Sequence, residues 1–156
     1  MTEPVRSITT DTATICIFDL AAMAHRKGDV GDWWSIPRDR VVEIKNRNAL
    51  FIDVGDDGTY DVVLSSEDDD RSQGFCLATP SGRVFIGPGE EMSGADFEPD
   101  GKWGGFFISV EGPYQKVTAR RDGDAISIDV RNTDLFENEP VDMITLRGTT
   151  PGLNDR

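Results

Sequence analysis

Residues 106–131, FFISVEGPYQKVTARRDGDAISIDVR, constrain the fold more than any other stretch of the chain. Phe106, Ile108 and Val110 alternate with Phe107 and Ser109. Val117 and Ala119 alternate with Lys116, Thr118 and Arg120, and Ile126, Ile128 and Val130 with Ser127, Asp129 and Arg131. A period of two places each apolar set on one face of a sheet. Gly112-Pro113 separates the first two runs and Asp122-Gly123 the second two. Asp-Gly between alternating runs signals a tight hairpin, because a type I′ turn needs positive φ at both central positions. The expectation is a three-stranded antiparallel meander with one wet face and one core face.

The rest of the chain reads as short strands between turns. Residues 1–10 are expected to be a loose arm, as is the tail 148–156. TATICIF (12–18) is apolar on both faces, which suits a central strand. Asp19 is placed to cap a short helix, LAAMAHR, with Leu20, Met23 and Ala24 on one side. After GDWWSIP, Ser35 and Pro37 suit the start of a helix over 37–46. Val41 and Ile44 would then face inward, and Arg38, Lys45 and Arg47 outward. A strand over VVEIK is the alternative, and the helix is preferred. ALFIDV (49–54) and YDVVLS (60–65) flank GDDGT and read as a second hairpin on Asp57-Gly58. GFCLA (74–78) and VFI (84–86) are strands on either side of TPSGR, and VDMITL (141–146) is a last strand or a turn. Eight or nine short strands at roughly ten-residue spacing, with one or two short helices, predict a mostly β fold: an antiparallel β-sandwich or a curled, barrel-like sheet. No repeat or linker divides the chain, so 1–156 is expected to be a single domain, a length that supports one real core.

Sixteen basic and twenty-nine acidic residues give a formal net charge of −13. Nucleic acid and anionic membranes repel such a surface, so neither is an expected partner. No apolar run approaches the roughly 20 residues of a membrane-spanning helix, and MTEPVRSITTDT has no signal-peptide core. A cytoplasmic location is the expectation. Cys16 and Cys76 lie in apolar runs and are expected to be buried free thiols.

Few residues suggest chemistry. His25, the single histidine, lies near Asp19, Asp29 and Asp32, a base-and-carboxylate combination. An imidazole late in a helix is also favoured by the helix dipole alone, and no G-x-S-x-G motif supplies a nucleophile. DVGDDGTYD from Asp53 fails the calcium-loop pattern, with Gly55 at the third position and Leu64 at the twelfth. Neither a Walker loop nor G-x-G-x-x-G occurs. The expectation is therefore a protein that is not an enzyme, with no metal and no cofactor. Trp33, Trp34 and Trp103 are expected in the core, with a sugar-stacking platform as the other reading.

Charge distribution says more. Residues 48–70, 87–101 and 132–142 together hold 17 of the 29 acids and no base. These segments are largely loops, where binding residues concentrate, and clustered carboxylates steer a basic partner toward its site. The expected contacts are Glu67, Asp68, Asp69 and Asp70, with Asp56 and Asp57 on a neighbouring turn.

The blocks GDWWSIP, NALFIDVGDDGTYDV, GRVFIGPGEE and GGFFISVEGPYQKVTARRDGD resemble an uncharacterised family of small acidic bacterial proteins often grouped with polymorphic-toxin immunity proteins. The pattern G-P-Y-x-x-V-x-A-R (112–120) also resembles the strand-opening pattern P-x-G-x-Y-x-V of the competence-associated nuclease inhibitor. The spacing departs from it, since Pro113 and Tyr114 are adjacent. The resemblance implies a stoichiometric inhibitor whose partner is a cognate toxin or effector, including a nuclease. Acidic inhibitors of nucleases present carboxylates where the enzyme expects phosphates. A β module binding a sugar or calcium is the alternative.

Overall fold

The computed structural model describes residues 5–26, 36–64, 74–89, 105–123, 125–145 and 148–149. The strands are β1 (Val5–Thr10), β2 (Thr14–Asp19), β3 (Ala49–Asp53), β4 (Gly58–Leu64), β5 (Phe75–Ala78), β6 (Arg83–Pro88), β7 (Phe106–Ser109), β8 (Tyr114–Asp122), β9 (Ala125–Asn132), β10 (Ile144–Thr145) and β11 (Gly148–Thr149). A 3-10 helix (Leu20–Arg26) and one α-helix, α1 (Pro37–Lys45), lie between β2 and β3. The strands form two sheets. One has the order β1-β4-β9-β8-β11, with β5 also on β8; the other has the order β10-β3-β2-β6-β7. The fold is thus mostly β, as expected. Most pairs are antiparallel, but β4–β9, β3–β10 and β8–β11 are parallel.

The two sheets follow different residue patterns for a physical reason. Ile15, Ile17, Leu50, Ile52, Val84 and Ile86 alternate with Cys16, Phe18, Ala49, Phe51 and Phe85, and all are fully buried. A strand needs apolar residues on both sides only when both sides are covered. Here α1 packs on β3, and the 3-10 helix packs on β2 and β6. The first sheet faces water on one side and alternates accordingly: in β4, Tyr60 and Val62 are buried while Thr59 and Asp61 are exposed. Phe85 is packed so closely that a Cβ at Gly87 or Gly105 would sit 2.4 or 2.2 Å from its ring. Cys16 and Cys76 are buried and free, as expected.

Three sequence expectations are corrected. The meander over 106–131 is a hairpin only in its second half. β8 and β9 pair through Asp122↔Ala125, so Asp122 ends the strand and Gly123, at φ +66, opens the turn. β7 instead pairs with β6 in the other sheet. The expected hairpin on Asp57-Gly58 likewise does not exist, since β3 pairs with β2 and β4 with β1 and β9. β5 and β6, on either side of TPSGR, also lie in different sheets. These connections are arches that carry the chain from one sheet to the other. Four of these arches have a positive-φ residue: Ala13 (φ 55) before β2, Gly55 (φ 92) before β4, Gly82 (φ 79) before β6 and Gly112 (φ 90) before β8. A left-handed residue turns the backbone sharply, and glycine tolerates it best. Finally, residues 5–10, expected to be loose, form β1, paired with β4 in six consecutive steps and contributing the buried Ile8. Residues 148–149 of the expected loose tail pair with β8.

The preferred helix after residue 36 is present, but its inward face differs. Ile44 is buried as expected, whereas Val41 is half-buried and Arg40 and Glu43 are buried. Arg40 reaches Asp142, with Nη2 to Oδ2 at 2.9 Å and Nε donating to the Asp142 carbonyl at 3.0 Å. Arg38 and Lys45 are exposed, as expected, and Arg47 is half-buried. The expected cap Ser35 lies outside the described residues. The N-cap is Ile36, and no side chain caps the helix.

Candidate binding surface

Asp56 and Asp57 sit on the arch between β3 and β4, and both are exposed. The backbone beneath them is held from three sides. The Gly55 N–H donates to Asp53 Oδ1 at 2.8 Å. The Tyr60 hydroxyl donates to the carbonyls of Asp56 (2.6 Å) and Val54 (3.3 Å). Arg121 Nη1 donates to the Val54 carbonyl at 2.6 Å, while its Nε donates to Gly123 O at 2.7 Å. The same guanidinium lies 5.3 Å from the centroid of the Tyr60 ring. The arch is therefore pinned while its carboxylates point to solvent.

The neighbouring arch adds to this end. The Val54 N–H donates to the Ala13 carbonyl at 3.0 Å, and Thr14 pairs with Asp53 and Thr10 with Gly58. Asp11, exposed, thus joins exposed Asp53, Asp56 and Asp57 at one end of the two sheets. Sequence reading missed Asp11, because a lone acid among threonines carries no signal until β1 is known to be a strand.

Glu67, Asp68, Asp69 and Asp70 lie outside the described residues, as do Trp33, Trp34 and Trp103. The described strands do fix one relation. Asp57 precedes β4, and Leu64, after which the chain continues toward Glu67, is at its far end. At roughly 3.3 Å per residue, about 20 Å of strand separates the two ends. Asp134, Glu137 and Glu139 are exposed on the segment after β9.

His25 is not paired with Asp19. Its Nε2 lies 2.9 Å from both carboxylate oxygens of Glu43, a residue only 1% exposed, and Asn48 Nδ2 donates to Glu43 Oε1 at 3.0 Å. Asp19 is taken up elsewhere. It accepts from the N–H groups of Ala21, Ser81 and Gly82 and from the Ser81 hydroxyl, at 2.7–3.1 Å. Asp29 and Asp32 lie outside the described residues. His25 thus ties the 3-10 helix to α1. Among the described residues no group of three His, Cys, Asp or Glu side chains is placed to hold a metal, and no helix is long and apolar enough to cross a membrane.

A family profile described as "Family of unknown function (DUF6386)" matches residues 1–146. The chain belongs to that family. No curated protein matches it by sequence. Among solved structures, the DUF6386 chain is similar to "Crocagin biosynthetic gene J", at 16% identity and TM-score 0.52, over 86% of this chain and 100% of that one. It is also similar to ComJ of Bacillus subtilis, described as an inhibitor of the DNA-degrading activity of NucA, at 10% identity and TM-score 0.51, over 85% and 98% of the two chains. At such identities the likeness is one of fold. The resemblance to a nuclease inhibitor drawn from residues 112–120 is thereby met at that level.

Proposed function

We propose that this protein is a non-enzymatic binder that neutralises a partner protein, as an immunity protein neutralises its toxin, and that the partner's binding surface is basic. The observation that carries the reading is the pinned arch with exposed Asp56 and Asp57 in a chain of net charge −13. Carboxylates on a pre-ordered backbone lose little entropy on contact and meet cationic groups without rearrangement. The fold shared with ComJ is compatible with this role and extends the reading to a nuclease as the partner. In that case the carboxylates of Asp56, Asp57 and Glu67, Asp68, Asp69 and Asp70 stand where the enzyme takes phosphates.

The test is capture of partners from a native bacterial lysate at low and at high salt. One dominant protein released by salt is expected, because exposed charges are screened beyond about 8 Å at physiological ionic strength. Replacing Asp68, Asp69 and Asp70 by Asn should slow its association more than it changes folding. A dominant partner held equally at both salt concentrations would remove the acidic-contact reading. A chain that captures nothing, but whose tryptophan fluorescence changes with calcium or a sugar, would favour the ligand-binding module instead.

A further inference from the structure

The two sheets end in strands that are treated differently. An edge strand presents a row of backbone N–H and C=O groups that invite another strand, and proteins blunt such edges with short strands, charges, prolines, bulges or covering groups. The edge at β5 is covered: Asn138 Oδ1 accepts from the Cys76 N–H at 2.6 Å, and Asn138 Nδ2 donates to the Cys76 carbonyl at 2.9 Å, so one side chain mimics a paired strand. β10 and β11 are two residues long, and β7 is four. β1 differs. It is six residues long, has no proline, lysine or acid, and keeps an unbroken register from Val5↔Val63 to Thr10↔Gly58. Among the described residues its backbone pairs with β4 alone.

The strand is also anchored to its own sheet and core. Ile8 is fully buried, and the Arg6 guanidinium lies 5.4 Å from the Phe106 ring centroid. Ser7 donates to Asp61 at 3.2 Å and the Thr9 and Thr59 hydroxyls meet at 2.8 Å, so the outward side chains are engaged sideways along the sheet. A chain of net charge −13 repels its own copy almost everywhere, but β1 carries one arginine and no carboxylate. It is the long edge along which two copies approach without opposing acids.

We infer that β1 pairs with β1 of a second copy, antiparallel and two-fold symmetric, joining the two six-stranded sheets into one. An isologous contact of this kind closes on itself. Register is restricted by parity: residues facing each other must lie on the same side of the sheet, or every side chain would change face. Centring the axis on Ser7 or on Ile8 satisfies parity, keeps Ile8 on the buried side of both copies, and sets Arg6 opposite Ile8 or Thr10 rather than opposite the other Arg6. The charge of the rest of the chain sets the salt dependence. Screening weakens the mutual repulsion of the two copies, so salt strengthens this association. That is the reverse of the dependence proposed for the acidic arch, so failure of one reading is distinguishable from failure of the other.

Sedimentation velocity of the full chain across a concentration series, at low and at high salt, tests the inference. The expected result is a species of twice the 17.2 kDa chain mass that grows with salt. It should be lost in Ser7→Lys/Thr9→Lys, whose lysines would face one another across the seam, with an unchanged circular dichroism spectrum. A monomer under all conditions, or a dimer that survives in the folded double-lysine variant, would overturn it. Should that variant fail to fold, a nitroxide on Ser7→Cys gives an independent readout. Short inter-label distances, as between adjacent strands about 5 Å apart, support the pairing, and long ones refute it.

Discussion

The two ends of the β2–β3 pair treat polar groups in opposite ways. At one end, Thr14 meets Asp53, and the arches present Asp11, Asp53, Asp56 and Asp57 to solvent. At the other, Phe18 meets Ala49 and polar side chains turn inward. Asp19 is fully buried with four donors, Glu43 holds His25 and Asn48, and Asn138 joins the end of α1 to β5 through the Ile44 carbonyl at 2.7 Å and both Cys76 backbone groups. A buried polar group is tolerable only when its hydrogen bonds are complete, so the second end is committed to the fold. At the first end Tyr60 and Arg121 hold the backbone of the β3–β4 arch, and the Asp56 and Asp57 side chains stay exposed. Identical residue types thus have separate roles, and the difference lies in what surrounds them.

The largest expected effect tests the committed end. Asp19→Ala removes the buried carboxylate that accepts from the Ala21, Ser81 and Gly82 N–H groups and the Ser81 hydroxyl, uncapping the 3-10 helix, and should cost about 3 kcal/mol, from roughly 1.5–3 kcal/mol for hydrogen bonds to a charged group and about 1 kcal/mol for a lost cap. A thermal or denaturant melt reads it, and a loss within experimental error would break the contrast between the ends. Arg121→Met comes next. It removes two charge-assisted hydrogen bonds to backbone carbonyls and should cost about 2 kcal/mol, while also slowing partner association, although no acid is removed.

How much of this contrast could be read in advance depended on what each residue's signal was. The two-faced apolar pattern of TATICIF marked a buried central strand, and period-two runs marked the wet-faced sheet. The partner of each strand was not legible. Gly55, Gly82 and Gly112 look the same in sequence whether the chain returns beside itself or crosses to another sheet, and only pairing with distant strands decides. The change in pattern across each break, from ALFID to GTYDVVL, was the available clue that the two strands belong to different layers. The burial of Arg40 and Glu43 was not legible, because their partners, Asp142 and His25, are 102 and 18 residues away. Asp56 and Asp57 were legible as exposed acids, but not the Tyr60 and Arg121 contacts that hold their backbone.

The remaining predictions concern the open end and the helix terminus. Asp56→Asn with Asp57→Asn should leave stability within about 0.5 kcal/mol, as for exposed substitutions, while slowing association about threefold or more at low salt through weaker steering. A drop in stability comparable to that of Asp19→Ala would show that these acids belong to the fold after all. Arg47, at φ 65, occupies the left-handed position just past α1 that glycine normally takes. Arg47→Gly should raise stability by about 0.5 kcal/mol, the smallest change of the set, measured as a shift in denaturant midpoint.

The most direct test is the association rate of the captured partner with the wild-type chain and with Asp56→Asn/Asp57→Asn, followed from low to high salt. The account predicts a wild-type rate that falls steeply with salt and a variant rate that starts lower and falls less, the two converging at high salt. Equal rates for both proteins, independent of salt, would contradict it.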